Sequence, residues 1–151
     1  MKKMRKIAVA LCLDNKNGMT FFDKRQSRDK NLISELVSSN HRRKIYSENY
    51  SSILFDGYEG VNFSDNPLEI CEDGGTCFIE KSDVTPYLDD IDIFIIYKWN
   101  KSYPADKFFT VNLRQQGYTL LGKVDIVGNS HDKITKETYK KKWKLSLNRY
   151  L

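Results

Sequence analysis

Five consecutive residues, Arg25-Gln26-Ser27-Arg28-Asp29, put two guanidinium groups, an amide, a hydroxyl and a carboxylate side by side. Two arginines beside the start of a helix suit an anion or phosphate, because unpaired backbone N–H groups and positive charge point the same way there. Asp29 falls in the first turn expected for that helix, where a carboxylate can accept a pair of hydrogen bonds. The competing reading is structural: Asp29 complements the positive end of the helix, worth about 0.3–1 kcal/mol, and Ser27 is its N-cap in a solvated loop.

Other constellations are sparse. His41 and His131 stand ninety residues apart, without a nucleophile or acid at catalytic spacing around either. Cys12, Cys71 and Cys77 are odd in number and lack the CxxC spacing, which argues against a disulfide framework or a zinc site. No metal centre is expected. The chain contains no G-x-S-x-G, P-loop or H-E-x-x-H motif. Tyr97, Trp99 and Tyr103, interleaved with Lys98 and Lys101, have the composition of a base-stacking surface. Alternation along a strand more often marks one packed face, so nucleic acid is not the expected partner.

The elements that must position these groups can be read from hydrophobic pattern. Ile7 to Leu13 and Ile91 to Trp99 are continuous apolar runs, as in strands buried on both faces; they are expected as neighbours at the centre of a sheet. Gly18, after the polar loop Asp14 to Asn17, stands where a positive φ is easiest. Leu32, Ile33, Leu36 and Val37 recur at helical spacing and predict a helix over 28–38. Further strands are expected at 43–46, 60–63, 76–79, 108–111, 118–127 (an edge) and 135–142. Short helices are expected at 47–54, 67–71 and 86–88, the second opened by Pro67. Strands alternating with helices indicate one α/β domain spanning residues 1–151.

Composition sets the outer limits. The chain has 151 residues, 40% of them hydrophobic and 30% charged, with a net charge of +5. That is enough apolar material for a folded core. Much of the positive charge lies at Lys2, Lys3, Arg5 and Lys6 and at Lys140, Lys141, Lys142, Lys144 and Arg149; a solvated face explains it. No apolar run approaches the ~18 residues of a membrane span. The run after the basic start is cut short by Asp14 and lacks a cleavage site, so a cytoplasmic protein is expected rather than a secreted one.

The order of elements is similar to that of the dihydrofolate reductases. Ile7 to Met19 resembles their opening strand and first loop. Ile91 to Tyr97, Tyr103-Pro104-Ala105-Asp106-Lys107-Phe108-Phe109, Tyr118-Thr119-Leu120 and Ser130-His131 resemble their closing strands. The resemblance implies an α/β fold with a mixed central sheet and short flanking helices. In these reductases an acid near the start of the first helix binds the pterin, about a dozen residues past the loop glycine. Asp29 lies eleven positions after Gly18, although the family's Pro-Trp before the helix is replaced by Arg25-Gln26. The resemblance thus makes Asp29 the catalytic candidate, with Arg25, Gln26, Ser27 and Arg28 binding a small anionic, pterin-like or nucleotide-like ligand.

The cofactor side departs from the family. The reductases carry a Gly-Gly turn for NADPH after the strand that here reads Cys77-Phe78-Ile79. This chain has Glu80-Lys81-Ser82 there and places Gly74-Gly75 before the strand, so NADPH in the usual mode is not expected. The chain also resembles short bacterial proteins with an N-G-M then R-Q-S-x-D pattern, here Asn17-Gly18-Met19 and Arg25 to Asp29. Some of these carry the name ribonuclease Z, but two histidines cannot build the two-metal site of that nuclease. The expectation is therefore a reductase-like scaffold without the standard NADPH-dependent activity. The alternatives are a reductase or pterin- or nucleotide-handling enzyme using Asp29, and a nucleic-acid-binding protein.

Overall fold

Strand β1 (Ile7–Leu13) is the axis of the molecule. Its apolar run is buried at every position but the half-buried Cys12, because it has a strand on each side and packing on both faces. The computed structural model describes residues 5–142; Lys2, Lys3, Lys144 and Arg149 lie outside them. β1 pairs in parallel with β6 (Thr76–Phe78) and with β7 (Ile91–Lys98). The two long apolar runs are thus central neighbours, with Val9 opposite Phe94 and Leu11 opposite Ile96. Beyond β6 lie β4 (Ile45–Glu48) and β5 (Val61–Ser64), both parallel to their neighbours. Beyond β7 lie β10 (Ile134–Lys141) and the edge strand β9 (Tyr118–Ile126), both antiparallel. The sheet therefore has seven strands, mixed in direction.

Period-2 alternation along β1 feeds two cores. Ile7, Val9 and Leu11 pack with Phe94, Ile96, Phe109 and Tyr118. Ala10, with the half-buried Cys12, faces the other way, towards Leu32, Ile33 and Leu36 of helix α1 (Lys30–Ser39) and towards Phe78 and Trp99. A second, three-stranded sheet joins β2 (Gly18–Phe21) to β3 (Lys24–Arg25) and β8 (Lys107–Phe108). A short helix α2 (Pro67–Ile70) and 3-10 turns at Asn49–Phe55 and Thr85–Asp90 complete the described chain.

Several local expectations shift, each for a tertiary reason. Helix α1 begins at Lys30, and its N-cap is Asp29, not Ser27; the hydroxyl of Ser27 is engaged elsewhere. The strand expected at 43–46 runs from Ile45 to Glu48, because Arg43 serves as a clamp, donating to Thr76 Oγ1 and to the Gly75 carbonyl. Ser47 caps no helix: it is buried in β4 and donates to the Phe78 carbonyl at 2.8 Å. The positive φ after β1 belongs to Asn17, at 63°, rather than to Gly18. The strand expected at 108–111 is the two-residue β8 of the second sheet. Tyr97 and Trp99 are 0% and 4% exposed, so they cannot offer ring faces to bases.

Phe94 is fully buried and meets Phe109 and Tyr118 edge-on, at centroid distances of 5.7 and 5.0 Å. Phe94→Ala is expected to lower stability by about 3–5 kcal/mol through the cavity it leaves. Chemical denaturation of the two proteins checks this.

Candidate functional site

The C-terminal ends of β1, β6 and β7 and the N-terminus of α1 converge on one crevice. Asp14, directly after β1, ties the loop that follows this strand to Gln26 and Tyr103. Its buried carboxylate accepts from the N–H of Lys16 (2.8 Å) and Gly18 (2.7 Å), from Gln26 Nε2 (3.1 Å) and from the N–H of Tyr103 (3.1 Å). Burial alone would raise its pKa, but these donors hold it below the ordinary carboxylate range. Gly18 is required by crowding: a Cβ there would lie 2.7 Å from Ala105 Cβ and 2.9 Å from Asp14 Oδ2.

Asp29 is 3% exposed, and donors from its own chain surround its carboxylate. Oδ1 accepts from the N–H groups of Asn31 and Leu32, the capping bonds of α1, at 2.9 and 3.2 Å. Oδ2 accepts from the N–H of Asn129 (2.9 Å), Ser130 (2.8 Å) and His131 (3.2 Å) and lies 3.2 Å from His131 Nδ1. A single carboxylate therefore caps the helix and gathers the loop between β9 and β10. Burial works to raise its pKa, but the N–H groups of Asn129 and Ser130, the His131 ring and the N–H of Leu32 outweigh it and bring it to about 2. Gly128 permits the approach, since a Cβ there would meet the His131 carbonyl oxygen at 2.3 Å and Asp29 Oδ2 at 2.7 Å.

His131, flanked in sequence by Ser130 and Asp132, is enclosed by this arrangement, and Ser130 Oγ lies 3.1 Å from its Nδ1. Its Nε2 lies 3.2 Å from Ser27 Oγ and 2.9 Å from the Tyr103 hydroxyl. Trp99 stacks on its ring at 4.6 Å. The juxtaposition spans more than a hundred residues of chain and left no local signal to find. His41 lies apart, exposed just past the end of α1, 2.9 Å from the Ser38 carbonyl.

The remaining predicted residues divide. Arg25, Gln26, Ser27, Arg28 and Asp29 all line one narrow space of about 20 Å³ with Cys12, Glu80 and Trp99. Arg25 is already paired: Nε and Nη2 each donate to Glu80 at 2.9 Å, and its guanidinium lies 4.2 Å from the Tyr50 ring centre. Gln26 Oε1 is buried with no hydrogen-bond partner. Arg28 is exposed and also borders a wider crevice of about 650 Å³, walled by Ile33, Ile53, Leu54 and Tyr58, with Lys30 at its edge. The two spaces share Arg28, Asp29, Ile33 and Leu54.

At the end of β6 three successive backbone N–H groups point together, and Glu48 takes all of them. Its carboxylate accepts from the N–H of Glu80 (2.7 Å), Lys81 (3.1 Å) and Ser82 (2.7 Å) and from the Ser82 hydroxyl (2.5 Å). Such a run of N–H groups is an anion-binding nest; here its anion is a side chain of the same protein. Sequence reasoning passed over Glu48 because a lone Glu at a strand end carries no pattern.

No family model matches this sequence, and no curated protein does. Among solved structures, the dihydrofolate reductase of Enterococcus faecalis, determined with NADP(H) and RAB-propyl, superposes with a TM-score of 0.61. The match covers 89% of this chain and 95% of that one, at 12% identity. This chain has the dihydrofolate reductase fold. The resemblance to proteins named ribonuclease Z finds no support in these comparisons. Among the described residues no three His, Cys, Asp or Glu side chains gather in a way that would hold a metal ion.

The reductase fold brings an expected cofactor, and the residues at the end of β6 do not fit it. A pyrophosphate there needs free N–H groups and room for close backbone approach. Glu48 already occupies the N–H groups, and the Glu80 side chain, held by Arg25 and by Ser51 Oγ at 2.6 Å, fills the space beside them.

Asp29→Asn, which a ligand-facing carboxylate would tolerate, is expected to destabilise the protein by more than about 2 kcal/mol, because the new NH₂ faces backbone donors. The folded pKa of Asp29, about 2, lies below its unfolded value of about 4. Its contribution, about 2 kcal/mol, is therefore complete above about pH 4 and lost as the pH falls towards 2. Acid unfolding followed by circular dichroism should show that loss in the native protein and a flatter profile in Asp29→Asn.

Proposed function

We propose that this chain is a cytoplasmic binding protein on the dihydrofolate reductase scaffold. It does not perform NADPH-dependent reduction, and it takes a small anionic organic ligand in the crevice beside the start of α1. The observation that carries this reading is the Glu48 carboxylate seated on the N–H groups of Glu80, Lys81 and Ser82. A cofactor phosphate would have to displace a carboxylate that is already fully bonded, and would meet the Glu80 charge beside it.

The opposite half of the site supports a ligand of its own. The wide crevice is within the size range of small-molecule pockets. Ile33, Ile53, Leu54 and Tyr58 offer apolar wall, the exposed Arg28 and Lys30 offer positive charge on a lining that also carries the exposed Asp56, and Gln26, whose buried Oε1 has no partner, lines the adjoining space. Three free cysteines agree with a reducing compartment. No helix among the described residues is long and apolar enough to cross a membrane.

Calorimetric titration with NADPH is expected to show no saturable binding up to about 1 mM, or about −4 kcal/mol. Micromolar binding, about −8 kcal/mol, overturns the reading. Thermal-shift measurements with folates and mononucleotides are expected to reveal a ligand that raises the melting temperature, since a ligand of the native state stabilises it. Reversing both charges, Arg28→Glu with Lys30→Glu, should abolish that rise. Glu48→Ala is expected to gain affinity for inorganic pyrophosphate while losing about 1–3 kcal/mol of stability through its orphaned N–H groups.

A further inference from the structure

We propose that Ser27 is a nucleophile that accepts an acyl group from a carboxylic ester, with His131 as its general base and Asp29 as the residue that positions the base. Asp29 Oδ2 lies 3.2 Å from His131 Nδ1, and His131 Nε2 lies 3.2 Å from Ser27 Oγ. A hydroxyl, an imidazole and a carboxylate in this order and at these distances form the arrangement that activates serine, and it is recognised by geometry rather than by chain order.

Burial is graded in the way that chemistry needs. The Asp29 and His131 side chains are 0% and 2% exposed, while Ser27 is half-buried and lines the narrow space that adjoins the wide crevice. An ionised carboxylate can only accept a hydrogen bond, so Nδ1 carries a proton towards Asp29, and in the neutral imidazole Nε2 is the acceptor that faces Ser27 and Tyr103. Trp99, stacked at 4.6 Å, holds the ring plane.

The substrate class rests on the reading of the crevice given under Proposed function. The acyl chain lies along Ile33, Ile53, Leu54 and Tyr58, and an anionic group is drawn to Arg28 and Lys30. In the first step a bond forms from Ser27 Oγ to the carbonyl carbon and the Oγ proton passes to His131 Nε2. Arg28, the next residue along the same wall, supplies positive charge towards the developing oxyanion. The C–O bond to the alcohol then breaks, and the alcohol leaves with the proton from Nε2. Water attacks the acyl-serine, gives its proton to Nε2, and the serine leaves with that proton as the carboxylic acid departs. Ester and water become acid and alcohol, with no oxidant or reductant.

Tyr103 makes the inference sharply testable. Its hydroxyl stands 2.9 Å from the same Nε2 and competes with Ser27 for one lone pair. The probe is an alkyl fluorophosphonate on the full chain, whose phosphorus bonds to Oγ with loss of fluoride and transfer of the Oγ proton to His131. Intact mass and peptide mapping are expected to show one adduct, at Ser27, in the folded protein and none after unfolding in urea. His131→Gln should slow labelling by about 10²-fold. Tyr103→Phe should accelerate it several-fold, an effect that loss of a structural hydrogen bond alone would not produce. Should His131→Gln fail to fold, the Tyr103→Phe acceleration and the loss of labelling in folded Ser27→Ala decide instead. Labelling elsewhere, equal labelling in urea, or no acceleration in Tyr103→Phe overturns the proposal. Hydrolysis of p-nitrophenyl esters separates the two readings. A labelled Ser27 with rates indifferent to acyl-chain length keeps the nucleophile and rejects the crevice. An unlabelled Ser27 in a protein whose melting temperature a folate or nucleotide still raises rejects the nucleophile and keeps the crevice.

Discussion

The carboxylate of Asp29 holds together two parts of the chain a hundred residues apart, and much of the site's shape follows from it. One oxygen closes the first turn of α1; the other collects the N–H groups of Asn129, Ser130 and His131. Neither task can be met by water, because the group is almost wholly buried and its donors would be left unpaired. Once Asp29 is set, the helix lies over Ala10 and Cys12 of β1, and the loop between β9 and β10 delivers His131 against Trp99 and Ser27. Gly128 is part of the same constraint, since the loop can approach the carboxylate only where no side chain stands.

The Glu48 carboxylate plays a comparable part on the other side of β1. At the end of β6 the backbone N–H groups of Glu80, Lys81 and Ser82 point together. Here the protein satisfies them internally and stacks an Arg25–Glu80 pair beside them. The pair is mostly buried, with side-chain exposures of 19% and 9%, and such a pair is valuable chiefly for holding one arrangement rather than for net stability. Ser51 Oγ donates to Glu80 and the Tyr50 carbonyl accepts from Arg25 Nη2, so the 3-10 turn after β4 is fastened to the same pair. The Glu48 carboxylate and the Arg25–Glu80 pair thereby fix one arrangement at this end of the sheet.

Legibility in the sequence followed the range of the interactions. The runs Ile7 to Leu13 and Ile91 to Trp99, and the helical spacing of Leu32, Ile33 and Leu36, depend on burial of each segment's own residues and could be read locally. Boundaries shifted where a distant partner decided them. Ser27 is a good cap by type, yet its hydroxyl turns to His131 and the cap passes to Asp29. Ser47 reads as a helix start, yet the Phe78 carbonyl keeps it in β4. Arg43 reads as part of a strand, yet Thr76 and Gly75 take its guanidinium.

The order and type of the main strands and of α1, and the concentration of polar chemistry at Arg25 to Asp29, were determined by the sequence alone, because hydrophobic period and residue type are local properties. The departure from a glycine turn at Glu80-Lys81 was also visible there. What that departure does was decided only in three dimensions: Glu48 arrives from a neighbouring strand to occupy the N–H groups, and Arg25 arrives from β3 to neutralise Glu80. The grouping of Ser27, His131 and Asp29 was likewise set by tertiary structure. A carboxylate, an imidazole and a hydroxyl interact over about 3 Å, and only the sheet order that places β10 beside β7 brings residues 27–29 and 131 within that distance.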